Sequence, residues 1–182
     1  MIHVCPLALL HETVEETGAR HVVTLLGDEA NVRRPASISA ENHLWLRMHD
    51  IASPADGYIT PESEHIARLI AFVRQWDRAA PMVIHCYAGI SRSTAAAFTT
   101  VCALNPGRVE LDVAWALRRA SPTALPNRRI VTLADQMLGR DGRMLSAIEA
   151  IGRFTPMTTA AEPFRLEIES ASPPSRTPGG VP

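Results

Sequence analysis

Val83-Ile84-His85-Cys86-Tyr87-Ala88-Gly89-Ile90-Ser91-Arg92-Ser93-Thr94 is the stretch on which the reading of this chain turns. Pro81–His85 has the apolar, β-branched character of a buried strand, and it delivers a cysteine. A loop of five residues, Tyr87–Ser91, separates that cysteine from Arg92. From Ser93 to Leu104 the chain is Ala-rich and apolar on nearly every side, the pattern of a buried helix. A strand, a tight loop and a helix start together make an anion cradle. Backbone N–H groups of Tyr87, Ala88, Gly89, Ile90, Ser91 and Arg92 can converge on one oxyanion, and the helix N-terminus adds partial positive charge. Gly89 allows a backbone angle that other residues resist. Arg92 can offer a bidentate fork to two oxygens of a phosphate. The same field favours Cys86 as a thiolate, placed to attack whatever the cradle holds. Ser93, or Ser91, can donate a hydroxyl hydrogen bond to the sulfur.

Working outward, the sequence predicts strands near Met1–Val4, His21–Leu26 and Leu44–Met48, with a helix over Leu9–Thr17 closed by Gly18. The segment His49–Ile59 holds Pro54, Asp56 and Gly57 and reads as an irregular loop. Thr60-Pro61-Glu62 predicts a helix start, with Thr60 as the capping hydroxyl. Ile66, Leu69, Ile70, Val73 and Trp76 then follow at helical spacing. Further helices are predicted over Glu110–Ala120 and Asn127–Leu138, the latter packing through Ile130, Leu133, Ala134, Met137 and Leu138, and over residues 143–151. Phe164–Ile168 alternates like an edge strand. Strands alternating with helices argue for an α/β fold, a central, mainly parallel twisted sheet with helices on both faces. Residues 1–154 form the expected domain. Residues 155–182 form a C-terminal extension whose Pro-rich end is expected to be disordered.

Composition narrows the function classes. The 182 residues are 46% hydrophobic and 20% charged, with a formal net charge of −1. No general positive field would gather nucleic acid or an anionic membrane, so neither is expected as a partner. No stretch reaches the roughly 18 apolar residues of a membrane helix. Cys5, Cys86 and Cys102 are too few and scattered for a disulfide framework, which points to reduced thiols and a cytoplasmic setting. Cys5 and Cys102 read as packed thiols. His43, His49 and His65 lack metal-ligand spacing and read as surface or loop residues, so no metal and no cofactor are expected.

His85-Cys86-x5-Arg92-Ser93 resembles the signature of the cysteine-dependent protein tyrosine phosphatase superfamily, most closely its dual-specificity-like branch. Ser121-Pro-Thr-Ala-Leu-Pro126-Asn127 resembles the Pro-Asn segment that precedes that branch's last core helix. The resemblance implies hydrolysis of phosphoprotein monoesters through a phosphocysteine on Cys86. Phosphotyrosine is the first substrate implied, with phosphoserine and phosphothreonine open. It also implies an aspartic acid on a loop before the cysteine, because an aryl or alkyl oxygen leaves poorly without a proton. Asp50 lies just past a strand and is favoured over Asp56, which sits in a turn-like Pro-Ala-Asp-Gly. Asn127 reads as a helix N-cap, and the resemblance gives it a second role bracing the phosphate loop. His85 is left between tuning Cys86 and filling the strand end. A disulfide between Cys86 and another cysteine, known in some relatives, is the weaker reading. No aromatic wall that deepens the pocket is identified, with Tyr58 and Trp45 as the only candidates. Two alternatives stand beside the protein phosphatase: a phosphatase of inositol phosphates, phosphoinositides or RNA 5′ ends, and a non-catalytic phospho-binding module. Tyr87 and Ile90 stand where lysines would meet extra phosphates. Oligomeric state is open.

Overall fold

The computed structural model describes residues 1–27, 32–152 and 159–168. The Pro-rich tail and the expected boundary between residues 154 and 155 lie outside the described residues. The strands are β1 (Ile2–Pro6), β2 (His21–Leu25), β3 (His43–Leu46), β4 (Met82–Cys86) and β5 (Phe164–Leu166). They form one sheet in the order β3-β2-β4-β1-β5. Pairings among β1 to β4 are parallel, and only β5 runs antiparallel, against β1. All five residues of the central strand β4 are buried, as expected for a parallel strand covered on both faces.

The helices are α1 (Leu10–Thr17), α2 (Ser63–Gln75), α3 (Arg92–Leu104), α4 (Glu110–Ala120), α5 (Arg128–Leu138) and α6 (Arg143–Ala150). Strand alternation splits the core in two. Leu10 and Val14 of α1 pack with Cys5, Val22 and Val83 on one face. The remaining helices cover the other face, against Ile2, Val4, Val23, Leu25, Leu46, Ile84 and Cys86. This is the α/β architecture that the alternation of elements implied.

Two local expectations are corrected. The N-cap of α2 is Glu62, not Thr60, and the Glu62 N–H donates to His65 Nδ1 at 3.0 Å. The extended Glu62 lets His65 reach back, so the helix starts two residues later than the proline suggested. Met137 is 41% exposed and not core; α5 buries Ile130, Val131, Ala134 and Asp135. The carboxylate of Asp135 accepts from the N–H groups of Gly142 (2.7 Å) and Met144 (2.8 Å), capping α6. That contact turns α5 so that Asp135 faces inward and Met137 outward.

Candidate active site

Cys86 ends the central strand, and α3 begins at Arg92, so the intervening loop sits at the carboxyl edge of the parallel sheet, where open α/β folds place ligands. Four carbonyls of this loop are bound from outside. Tyr87 O accepts from Leu7 N–H (3.1 Å), Ala88 O from Ala161 N–H (2.8 Å), Ile90 O from Leu125 N–H (2.9 Å) and Ser91 O from Asn127 N–H (3.3 Å). Peptide units are planar and no cis bond occurs among the described residues, so the N–H after each carbonyl points the opposite way. The amides of Ala88, Gly89, Ser91 and Arg92 are therefore turned away from the outer donors. Gly89 has φ +74°, and a Cβ there would meet Pro6 N at 3.0 Å and Cys5 C at 3.1 Å. The position needs glycine both for conformation and for its approach to the end of β1.

Cys86 is 2% exposed, and its Sγ lies 3.1 Å from Ser93 Oγ. Ser91 Oγ makes a different contact, donating to Asp50 Oδ1 at 2.8 Å. Arg92 is buried on the same side; one Nη donates to Met48 O at 2.8 Å, while Nε, though buried, has no partner among the described residues. A buried guanidinium edge without an acceptor is a cost that a bound oxyanion removes. Cys86, Arg92, Asp50, Asn127 and the loop from Tyr87 to Ser91, apart from Gly89, line one open cleft of about 760 Å³.

Asp50 and Asp56 are now distinct. Asp50 Oδ1 accepts from Ser91 Oγ and from Asn127 Nδ2, both at 2.8 Å. Asp56 is exposed and does not line the cleft. The loop carrying both is closed at its neck: His49 N–H donates to Ile59 O, and Ile59 N–H donates to His49 Nδ1, each at 2.8 Å. Asn127 joins three elements. Its Oδ1 caps α5 by accepting from Ile130 N–H (3.1 Å), its Nδ2 holds Asp50, and its N–H holds the Ser91 carbonyl of the loop.

Other expected residues fall elsewhere. Tyr58 and Trp45 do not line the cleft; the Trp45 indole donates to Leu26 O at 3.0 Å, and Tyr58 packs edge-on against His49. Cys5 and Cys102 are buried free thiols, each pushed up to about 12 by burial. Cys5 packs on the α1 face of the sheet and Cys86, on the neighbouring strand, on the opposite face, and both are free thiols. His85 is fully buried and kept neutral, lowered to about 3 by burial, with His43 next in effect. The sequence did not disclose the Met48 carbonyl, the Ala161 donor or a contact between His85 and Thr24; a lone buried threonine in the apolar run of β2 was the one available signal.

A protein-tyrosine phosphatase family model matches residues 36–119, which include the Cys86–Arg92 loop. That match spans 84 of the 182 residues, a likeness to the family over just under half of the chain. Solved structures share the fold at low identity. DUSP15 is 18% identical with a TM-score of 0.61, covering 85% of this chain and 92% of that one. Human tyrosine phosphatase-like serine/threonine/tyrosine-interacting protein is 16% identical with a TM-score of 0.61, covering 77% and 92%. PTPMT1, solved in complex with PI(5)P, is 12% identical with a TM-score of 0.57, covering 77% and 91%. No curated protein matches the sequence.

Proposed function

We propose that this chain hydrolyses phosphoprotein monoesters, phosphotyrosine first, through a phosphocysteine on Cys86, in a cytoplasmic setting that keeps its three thiols reduced. The observation that carries the reading is the buried Arg92 Nε, without a partner among the described residues, on the wall of the cleft that Cys86 also lines. In this mechanism the inward amides and the Arg92 fork hold three phosphate oxygens. The Cys86 sulfur attacks phosphorus, the ester bond breaks, and Asp50 protonates the departing oxygen. Among the described residues both hydrogen bonds to Asp50 fall on Oδ1, which leaves Oδ2 to carry the proton. Water, deprotonated by Asp50, then hydrolyses the phosphocysteine, and Ser93 Oγ stabilises the returning thiolate.

Protein over polyphosphate substrates is supported by the cleft's cations. Among the described residues, the only basic residue besides Arg92 that lines it is Arg128, and Arg128 pairs with Glu149 at 2.6 Å. Little uncompensated positive charge is left for a second phosphate. The test is turnover of a phosphotyrosine peptide, phosphoserine and phosphothreonine peptides, and inositol phosphates by wild type and Cys86→Ser, with acid-quench mass spectrometry of the intermediate. Loss of peptide turnover in Cys86→Ser and a phosphate adduct on Cys86 are expected. A preference for inositol phosphates overturns the substrate class. Vanadate binding with no turnover and no adduct overturns the enzyme.

A further inference from the structure

The sheet places three polar side chains in a row on its α1 face, across β3, β2 and β4. Thr24 Oγ1 lies 2.8 Å from His43 Nε2 and 2.7 Å from His85 Nε2. A hydroxyl has one proton, so it donates to one ring and accepts from the other. Which way the row runs is decided at its inner end. Among the described residues His85 Nδ1 is buried without a hydrogen-bond partner, and the Cys86 main chain acts on the ring in the sense that favours a protonated nitrogen. With the proton on Nδ1, His85 Nε2 must accept from Thr24, and Thr24 must accept from His43 Nε2–H. Thr24 and His85 are both fully buried, so no water competes for these bonds.

We propose that His43 and Thr24 form a positioning relay for Cys86, holding His85 in the tautomer whose Nδ1–H is turned to the Cys86 main chain. Accepting a bond at Nε2 strengthens the donor at Nδ1, because chained hydrogen bonds polarise one another. The relay thus places a fixed positive dipole, without a full charge, where the phosphate loop starts. His43, half-buried on the edge strand, is the end that can take a second proton without breaking the row. The other titratable or charged groups near the row are His11 on α1, Arg34 beside His43, Arg92 behind His85, and the Cys5 thiol paired with His85 in the strand register.

The test follows the sulfur itself. The pH midpoint of Cys86 alkylation by iodoacetate is measured in wild type, Thr24→Val, Thr24→Ser, His43→Phe and His43→Gln. Thr24→Val and His43→Phe should move the midpoint upward by roughly one pH unit, the size expected when a hydrogen bond favouring the charged form is lost. Thr24→Ser and His43→Gln, which keep a hydroxyl and a donor, should restore it. Overlapping wild-type and Thr24→Val curves overturn the relay. Should Thr24→Val not fold, ¹⁵N shifts of the wild-type rings decide: protons on His85 Nδ1 and His43 Nε2 support it, and the reverse pair overturns it. The relay rests on Cys86 being the reactive sulfur, but alkylation needs no turnover. A protein alkylated at Cys86 that hydrolyses no phosphate ester therefore fails the functional reading while the relay is still judged.

Discussion

Gly89→Ala strains the cradle at its tightest point. An alanine at φ +74° costs about 1–2 kcal/mol for the left-handed conformation. Its Cβ would also stand 3.0 Å from Pro6 N and 3.1 Å from Cys5 C, and main-chain atoms cannot rotate aside. Overpacking of this kind adds about 1–3 kcal/mol. Together that is about 2–5 kcal/mol, and at about 2–4 °C per kcal/mol for a domain of this size the Tm should fall by at least about 4 °C. The strain has two outlets. If β1 yields, the loss appears in Tm alone. If the loop yields, the amides lose their aim at the phosphate, and a displacement of about 1 Å costs on the order of 10²-fold in rate. Calorimetry and kcat/KM for an aryl phosphate, measured on the same preparation, separate the outlets. An alanine variant with wild-type Tm and kcat/KM within about twofold would refute both the contact and the cradle built on it.

Three further outcomes are expected. Iodoacetamide at pH 8 should modify Cys86 and spare Cys5 and Cys102, which are buried and pushed up to about 12, as peptide mapping would show; labelling of either in folded protein contradicts the packing. Asp50→Asn should slow a substrate with a poor leaving group by roughly 10²-fold, while Asp56→Ala stays near wild type; the opposite ranking in a paired assay moves the acid to Asp56. His85 is lowered to about 3 in the folded chain, so between there and its unfolded value near 6.5 only the unfolded chain takes the proton, and stability falls with falling pH. From pH 6.5 to 5 this amounts to about 2 kcal/mol. Urea midpoints should show a shallower pH slope for His85→Asn, and equal slopes would remove His85 from the acid response.

The loop and its helix were legible because local chemistry fixes them. A strand-cysteine-loop-arginine run can fold in few ways, and the apolar stripe from Ile66 to Trp76 packs as its spacing requires. What stayed hidden depends on which strands become neighbours. Thr24 meets both histidines only because β2 lies between β3 and β4, an order no local pattern encodes. Arg92 reaches Met48 O, and Ala161 reaches Ala88 O, across 44 and 73 positions of chain. Side-chain competition explains the two local errors. Propensity named Thr60 as the cap, but His65 could satisfy the N–H of Glu62. Spacing assigned Met137 inward, but Asp135 had two amides of α6 to bind.

The Ala161–Ala88 bond also sets an order of events during synthesis. The N-terminal half of a chain folds while the rest is still being made, at about 5–20 residues per second. Ala161 follows Ala88 by 73 positions, so the loop's last outer donor is made roughly 4–15 s after the loop itself. Leu7, already present, braces Tyr87 from the start, whereas Leu125, Asn127 and Ala161 arrive in turn. A growing chain therefore carries Cys86 and Arg92 for seconds before their loop is fully backed. The strand that closes the sheet edge at β1 arrives with the same clamp, so the cradle and that edge are completed together.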